Sequence, residues 1–212
     1  RRWFVMSMLT GRYSGSVESN FELDIRRVRE LGAPAYLESI EASELTDGFW
    51  AAGLPLNLVT SSSRSPLWKV FQASQVKNVS KGFLSRLITV QNMIEGAGDV
   101  HHIFPKDFLD KAGIHDRERK NQIANYVLTE TTINIQVGNK APSEYMGIIK
   151  GQIASGELKV GEIVTDEEIA LTLEQNAVPQ SIFDVTVNDY DDFLNERRQL
   201  MSKLMRKYYE SL

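Results

Sequence analysis

The chain has 212 residues, 42% apolar and 25% charged, and its 24 lysines and arginines against 28 aspartates and glutamates leave a formal charge of −4. That is enough chain to bury one sizeable core; no window approaches the ~18 consecutive apolar residues of a membrane span, and the acidic balance argues against a purely non-specific nucleic-acid binder. Without cysteine, disulfides, thiol catalysis and Cys-based zinc sites are excluded, and the composition fits a reducing cytoplasm.

The opening Arg1-Arg-Trp-Phe-Val-Met-Ser-Met-Leu-Thr10 has too short an apolar run, and no small-residue cleavage site, for a signal sequence. It starts in mid-pattern and reads as a piece of a longer protein. Residues 1–13 are expected to be helical, with Ser14-Gly-Ser16 as the stop. Phe21, Ile25, Val28 and Leu31 recur at helical spacing, ended by Gly32 and Pro34, and Arg26, Arg27 and Arg29 make a solvated face. One or two short helices fall between Ala35 and Val59. The Ser61–Ser65 run is a loop, and Ser65-Pro66 opens a helix in which Trp68 is a packing residue. Leu84 to Ile94 is ambiguous between strand and helix.

Glu95-Gly-Ala-Gly98 is a turn into Asp99-Val-His-His-Ile-Phe-Pro105, read as a strand that breaks at the proline. A short helix over 106–112 follows, closed by Gly113, and then a polar helical stretch over 116–121. Asn125-Tyr-Val-Leu-Thr129 has strand composition. The pattern turns helical from Thr131 through Asn134 to Val137, breaks at Gly138-Asn139 and restarts at Pro142. Thr165 and Glu168 form a capping box, and a helix from about Asn188 to the end carries the apolar stripe Tyr190, Phe193, Leu194, Leu200, Met201, Leu204, Met205 and Tyr208. The expected fold is mainly α, a helical scaffold around a small β-containing core. Its segments are a helical region over 1–85, the core over 86–150 and a C-terminal helical region over 151–212, in one unit.

Chemistry concentrates at the centre. Neighbouring side chains on a strand point to opposite faces, so two adjacent histidines share a site only where the strand breaks, and Pro105 supplies a break. His101 and Asn134 would then bind one divalent cation, and His102 would act as general base toward water. Asn125 would hold the His102 loop through its backbone. Asn139 is read as a cap on the helix at Pro142-Ser143, with a third-ligand role as the alternative, and Lys140 as a phosphate contact or a solvated lysine. Lys106, Arg117, Arg119 and Lys120 are candidate nucleic-acid contacts, although acidic residues are interleaved with them. His115 is a surface residue.

The order strand, His-His, loop, strand with Asn125, helix with Asn134 resembles the HNH (ββα-metal) nuclease superfamily. With Asn139-Lys-Ala-Pro-Ser-Glu-Tyr145 it is most similar to the C-terminal nuclease domain of GmrSD-like anti-phage and modification-dependent restriction proteins. Arg2-Trp-Phe, Gly11-Arg-Tyr-Ser-Gly15 and the Tyr190–Leu200 helix extend the similarity. The resemblance implies a metal-dependent endonuclease in a bacterial defence or restriction system, cleaving foreign or modified DNA in the cytoplasm. It also implies a ParB-like N-terminal domain in the same chain and no membrane partner. Pairing of two chains would suit cutting both strands. Histidine at 101, where many relatives carry aspartate, softens the site toward Mn²⁺ over Mg²⁺, with Ni²⁺ or Zn²⁺ as further candidates. A catalytically silent DNA-binding module of HNH shape, or an RNA-cleaving toxin nuclease, would share these residues.

Overall fold

The β-composition at the centre of the chain forms one antiparallel hairpin, β1 (Gly98–His102) against β2 (Tyr126–Glu130), in a computed structural model that describes residues 1–96 and 98–212. The register pairs His101 with Val127 and His102 with Tyr126. The rest is mainly helix, and no helix among the described residues is long and apolar enough to cross a membrane.

α1 (Arg2–Thr10) ends earlier than expected, because Gly11 takes a left-handed conformation (φ 65°) and its N–H caps Ser7 O. α2 (Val17–Leu31) and α3 (Ala33–Glu44) follow. On α2 the apolar periodicity does not mark the buried face: Phe21, Ile25 and Leu31 are exposed, and the buried residue is Asp24. Its carboxylate accepts from the Arg12 guanidinium and from the Tyr13 and Tyr36 hydroxyls. A charge taken out of water in this way is tolerated only because it is fully partnered. Arg26, Arg27 and Arg29 are exposed.

A π-helical turn at Phe49–Gly53 leads into α4 (Leu54–Asn57). α5 (Pro66–Lys77) has proline in its first turn and buries Trp68 in the core. The ambiguous 84–94 stretch is a looped segment: Leu84 sits at φ 62°, Lys81 bridges Thr89, and Thr89 caps α6 (Val90–Asn92). Its Phe83 N–H donates to Leu128 O, and Thr129 Oγ1 donates to Phe83 O, so the segment lies against β2.

After β1 come α7 (Lys106–Lys111) and α8 (Arg117–Lys120), and after β2 come α9 (Thr131–Val137) and α10 (Pro142–Ser155). α11 (Asp166–Gln175) begins with Thr165 Oγ1 accepting from the Glu168 N–H, while the Glu168 carboxylate takes the Val164 N–H rather than that of Thr165. α12 (Tyr190–Glu210) buries Tyr190, Phe193, Leu194, Met201 and Met205 as the stripe requires, together with two arginines, 197 and 198. One cluster of buried apolar side chains runs from Val5 on α1 through Phe104 and Tyr145 to Tyr209 on α12, drawing on all three sequence segments.

Candidate active site

Strand alternation and local breaks together decide where the central polar residues point. β1 ends at His102, so both histidines lie within the strand and the break comes after them, at Ile103-Phe104. The expectation that the strand continues to Pro105 is corrected by hydrogen bonding. Ile103 N–H donates to Asn125 O, and Tyr145 Oη donates to Ile103 O (3.1 Å). Asn125 Oδ1 accepts from Phe104 N–H (2.9 Å), and its Nδ2 donates to Phe104 O (3.1 Å) and Lys120 O (3.1 Å). Asn125 is fully buried and sits in a 3₁₀ turn just before β2, not on the strand as expected. With two backbone bonds to one residue it fixes how the chain leaves His102.

With both histidines inside β1, the expected sharing of one small site through a break at Pro105 is not met, because strand alternation parts the rings and the two imidazoles meet different amides. His101 turns toward α9, and its Nδ1 lies 2.6 Å from Asn134 Oδ1. His102 shares a face with its cross-strand neighbour Tyr126, the ring centroids 4.9 Å apart, and its Nε2 lies 3.0 Å from Asn121 Oδ1. Asn121 Nδ2 donates to Arg117 O (2.8 Å), which settles the orientation of that amide. An amide oxygen only accepts, so His102 carries its proton on Nε2 and leaves Nδ1 as the free lone pair.

Burial lowers the pKa of both histidines. For His101 the Asn134 contact opposes this; for His102 the Asn121 contact opposes it, nearby Lys106, His101 and Lys120 reinforce it, and the result is about 4. Both rings are therefore neutral at pH 7. In the unfolded chain they take up protons near 6.5, so the unfolded state binds more protons below that pH. The stability is complete above about pH 6.5 and falls as pH drops toward 4. His102 alone is expected to account for about 3 kcal/mol of that loss. Urea unfolding at several pH values across this window, beside His102→Gln, checks it. A wild-type curve no steeper than the variant's would refute it.

As it stands His101 carries its proton on Nδ1 toward Asn134 Oδ1; with that proton moved to Nε2, the pair would offer a nitrogen and an amide oxygen suited to a divalent cation. Ligands about 2.1 Å from one cation stand roughly 3 Å apart in an octahedral shell, so seating one parts this pair by a few tenths of an ångström. His101 is buried, and its Nε2 has no hydrogen-bond partner. A buried ring left with an unpaired nitrogen is held at a cost in hydrogen bonding. Among the described residues no group of three His, Cys, Asp or Glu forms a metal cage. A cation held here would have two protein ligands, with water and phosphate oxygens completing its shell.

The outer candidates part company. Asn139 does not cap α10: the residue before that helix is Ala141, which makes no side-chain cap, and Asn139 Nδ2 donates to Asp107 (2.9 Å). Lys140 Nζ donates to Gln136 O and Val137 O, satisfying the carbonyls that α9 leaves open at its end, so it is turned away from a phosphate role. Arg119 pairs with Asp191 (2.6 Å) and Lys120 with Asp110 (2.5 Å). Lys106 and Arg117 are exposed and, among the described residues, make no side-chain ion pair or hydrogen bond. His115 is on the surface beside Asp110.

Three contributors escape a reading by motif. Asn121 carries no pattern of its own, and Tyr145 figures only as the end of the 139–145 run, with no role assigned to it. Arg197, wholly buried, donates to the carbonyls of Ala124 (2.7 Å), Tyr126 (2.7 Å), Asn176 (3.2 Å) and Ile123 (3.4 Å). It did leave a signal, since residue 197 occupies a core position in the apolar stripe of α12.

No family model and no solved structure matches the chain. It is 30% identical over 154 residues to an uncharacterized protein of Methanocaldococcus jannaschii. The match covers 68% of this chain and 24% of that protein, so the chain spans about a quarter of its relative's length.

Proposed function

We propose that the chain is a metal-dependent endonuclease domain of the HNH type that hydrolyses DNA phosphodiesters in a cytoplasmic defence or restriction system. The observation that carries the reading is the hairpin-and-helix unit itself. β1 and α9 bring His101 and Asn134 to one point, and Asn125 locks the backbone that follows His102. In this reading His102 Nδ1 takes a proton from the attacking water while Asn121 holds Nε2–H. The water oxygen bonds to phosphorus, the P–O3′ bond breaks, and the leaving 3′ oxygen takes a proton from solvent, so that the products carry 5′-phosphate and 3′-hydroxyl ends. His101 and Asn134 would hold a divalent cation, which would supply charge neutralisation for the phosphoryl transfer. Burial keeps His102 unprotonated before it acts but lowers its basicity, so in this reading the attacking water would have to be acidified by the cation.

A ParB-like N-terminal domain of the same protein, and pairing of two chains for double-strand cuts, belong to the same proposal. The rival reading, a silent DNA-binding module, draws on the absence of a carboxylate from the His101–Asn134 pair. Supercoiled plasmid incubated with the chain and Mg²⁺, Mn²⁺, Ni²⁺ or EDTA separates the two. Nicking with a metal and none in EDTA is expected. Intact plasmid with every metal, while DNA binding persists, would favour the silent module.

A further inference from the structure

Five residues that the metal pair does not use, together with Asn121, line a polar cleft of about 390 Å³: Ser61, Lys106, Arg117, Glu118 and Tyr126. Asn121 and Tyr126 are the two side chains that touch His102, so the cleft lies one side chain away from the proposed base. Its wall is built rather than incidental. Tyr126 Oη donates to Ser61 O (3.2 Å), and Ile123 N–H donates to Thr60 O (2.8 Å). Those bonds tie the serine loop to the turn that carries Asn125.

The charge at this place differs from that of the basic stretch as a whole. Arg119 and Lys120 are spent on Asp191 and Asp110. Lys106 and Arg117 are not paired among the described residues, and Glu118 is the single carboxylate facing them. Two free cations against one anion, beside the Ser61 hydroxyl, make a site for an oxyanion. The space exceeds what one phosphate group fills and suits a sugar-phosphate unit of a chain.

We infer that this cleft binds the phosphate backbone of duplex DNA next to the scissile bond, through Lys106 and Arg117 with the Ser61 loop as its wall. The inference rests on the endonuclease reading for its substrate, but its test does not require cleavage. Binding of a short labelled DNA duplex to the full 212-residue chain is followed by fluorescence anisotropy over a range of salt, in EDTA. Each phosphate contact contributes about 0.9 to the slope of log K against log salt. The double variant Lys106→Ala/Arg117→Ala is expected to lower that slope by about 2, and Arg119→Ala/Lys120→Ala to leave it in place. Both pairs are checked for folding by circular dichroism.

An unchanged slope for the first pair, or an equal drop for the second, overturns the inference. So does an RNA strand that binds more tightly than the duplex with the same dependence on Lys106 and Arg117. So, too, does inorganic phosphate that displaces the duplex at concentrations near its own binding, since the site would then be one for the free ion. A slope that behaves as expected, with no cleavage under any metal, upholds the cleft and counts against the nuclease alone.

Discussion

Replacing Arg197 by methionine is expected to destabilise the fold by about 3–5 kcal/mol, because several buried carbonyls lose their donor at once. The guanidinium is wholly buried and has no carboxylate beside it. Its protons are instead shared among four backbone carbonyls, three of them on the turn from Ile123 to Tyr126. Burial pulls its pKa down to about 9, still well above neutrality, so the charge persists. Methionine fills the space but leaves those carbonyls without a donor, and each unpaired buried polar group costs about 1–3 kcal/mol. Lysine at this position keeps the charge and still fails, because one ammonium cannot reach across a fork of carbonyls that a planar guanidinium spans. Urea denaturation of wild type, Arg197→Met and Arg197→Lys reads the effect. A methionine variant within 1 kcal/mol of wild type would show that the carbonyls find other donors.

His102→Ala should reduce plasmid cleavage by about 10²–10⁴-fold, the span attributed to a positioned general base. The folded domain is expected to survive the change. His102 is only partly buried, and Asn121, which loses its partner, lies at the rim of an open cleft where water can replace the imidazole. The contrast of near-native melting with lost cleavage is what marks a base rather than a strut. Asn134→Ala provides the companion measurement: in the proposed mechanism it raises the metal concentration needed for half-maximal rate, whereas His102→Ala lowers the rate at saturating metal. Cleavage by His102→Ala at the wild-type rate would remove the histidine from the mechanism.

Much of the scaffold was legible in the sequence because its signals are local. Ser65-Pro66 opens a helix, Gly138 breaks one, and the stripe on α12 packs as its spacing demands. His101 lies against Asn134, and Asn125 bonds the backbone after His102; the metal and catalytic roles read from their order along the chain stay with the proposal. Illegible features came from contacts between distant segments. Asn121 meets His102 because α8 ends beneath β1, and Arg119 is neutralised by Asp191 from the far end of the chain. On α2 the apolar positions misled, because the interior there is a polar knot around Asp24: Phe21, Ile25 and Leu31 were left outside, and only Val28 packs against the core. Asn139 looked like a cap by its position before Pro142, but the turn carried it toward Asp107 instead.

The grip of Arg197 on the turn beside Asn125 also orders events in time. A chain leaves the ribosome N-terminus first, so both histidines and both strands of the hairpin are exposed before residue 197 has been made. Until then the turn that carries Asn125 lacks its clasp, and the backbone after His102 lacks the support that depends on it. A nascent chain stalled before α12 would carry every residue of the proposed site in an unfinished arrangement. In the proposed role, cutting activity would arrive only once this helix is complete and docked, and not while it is still being made.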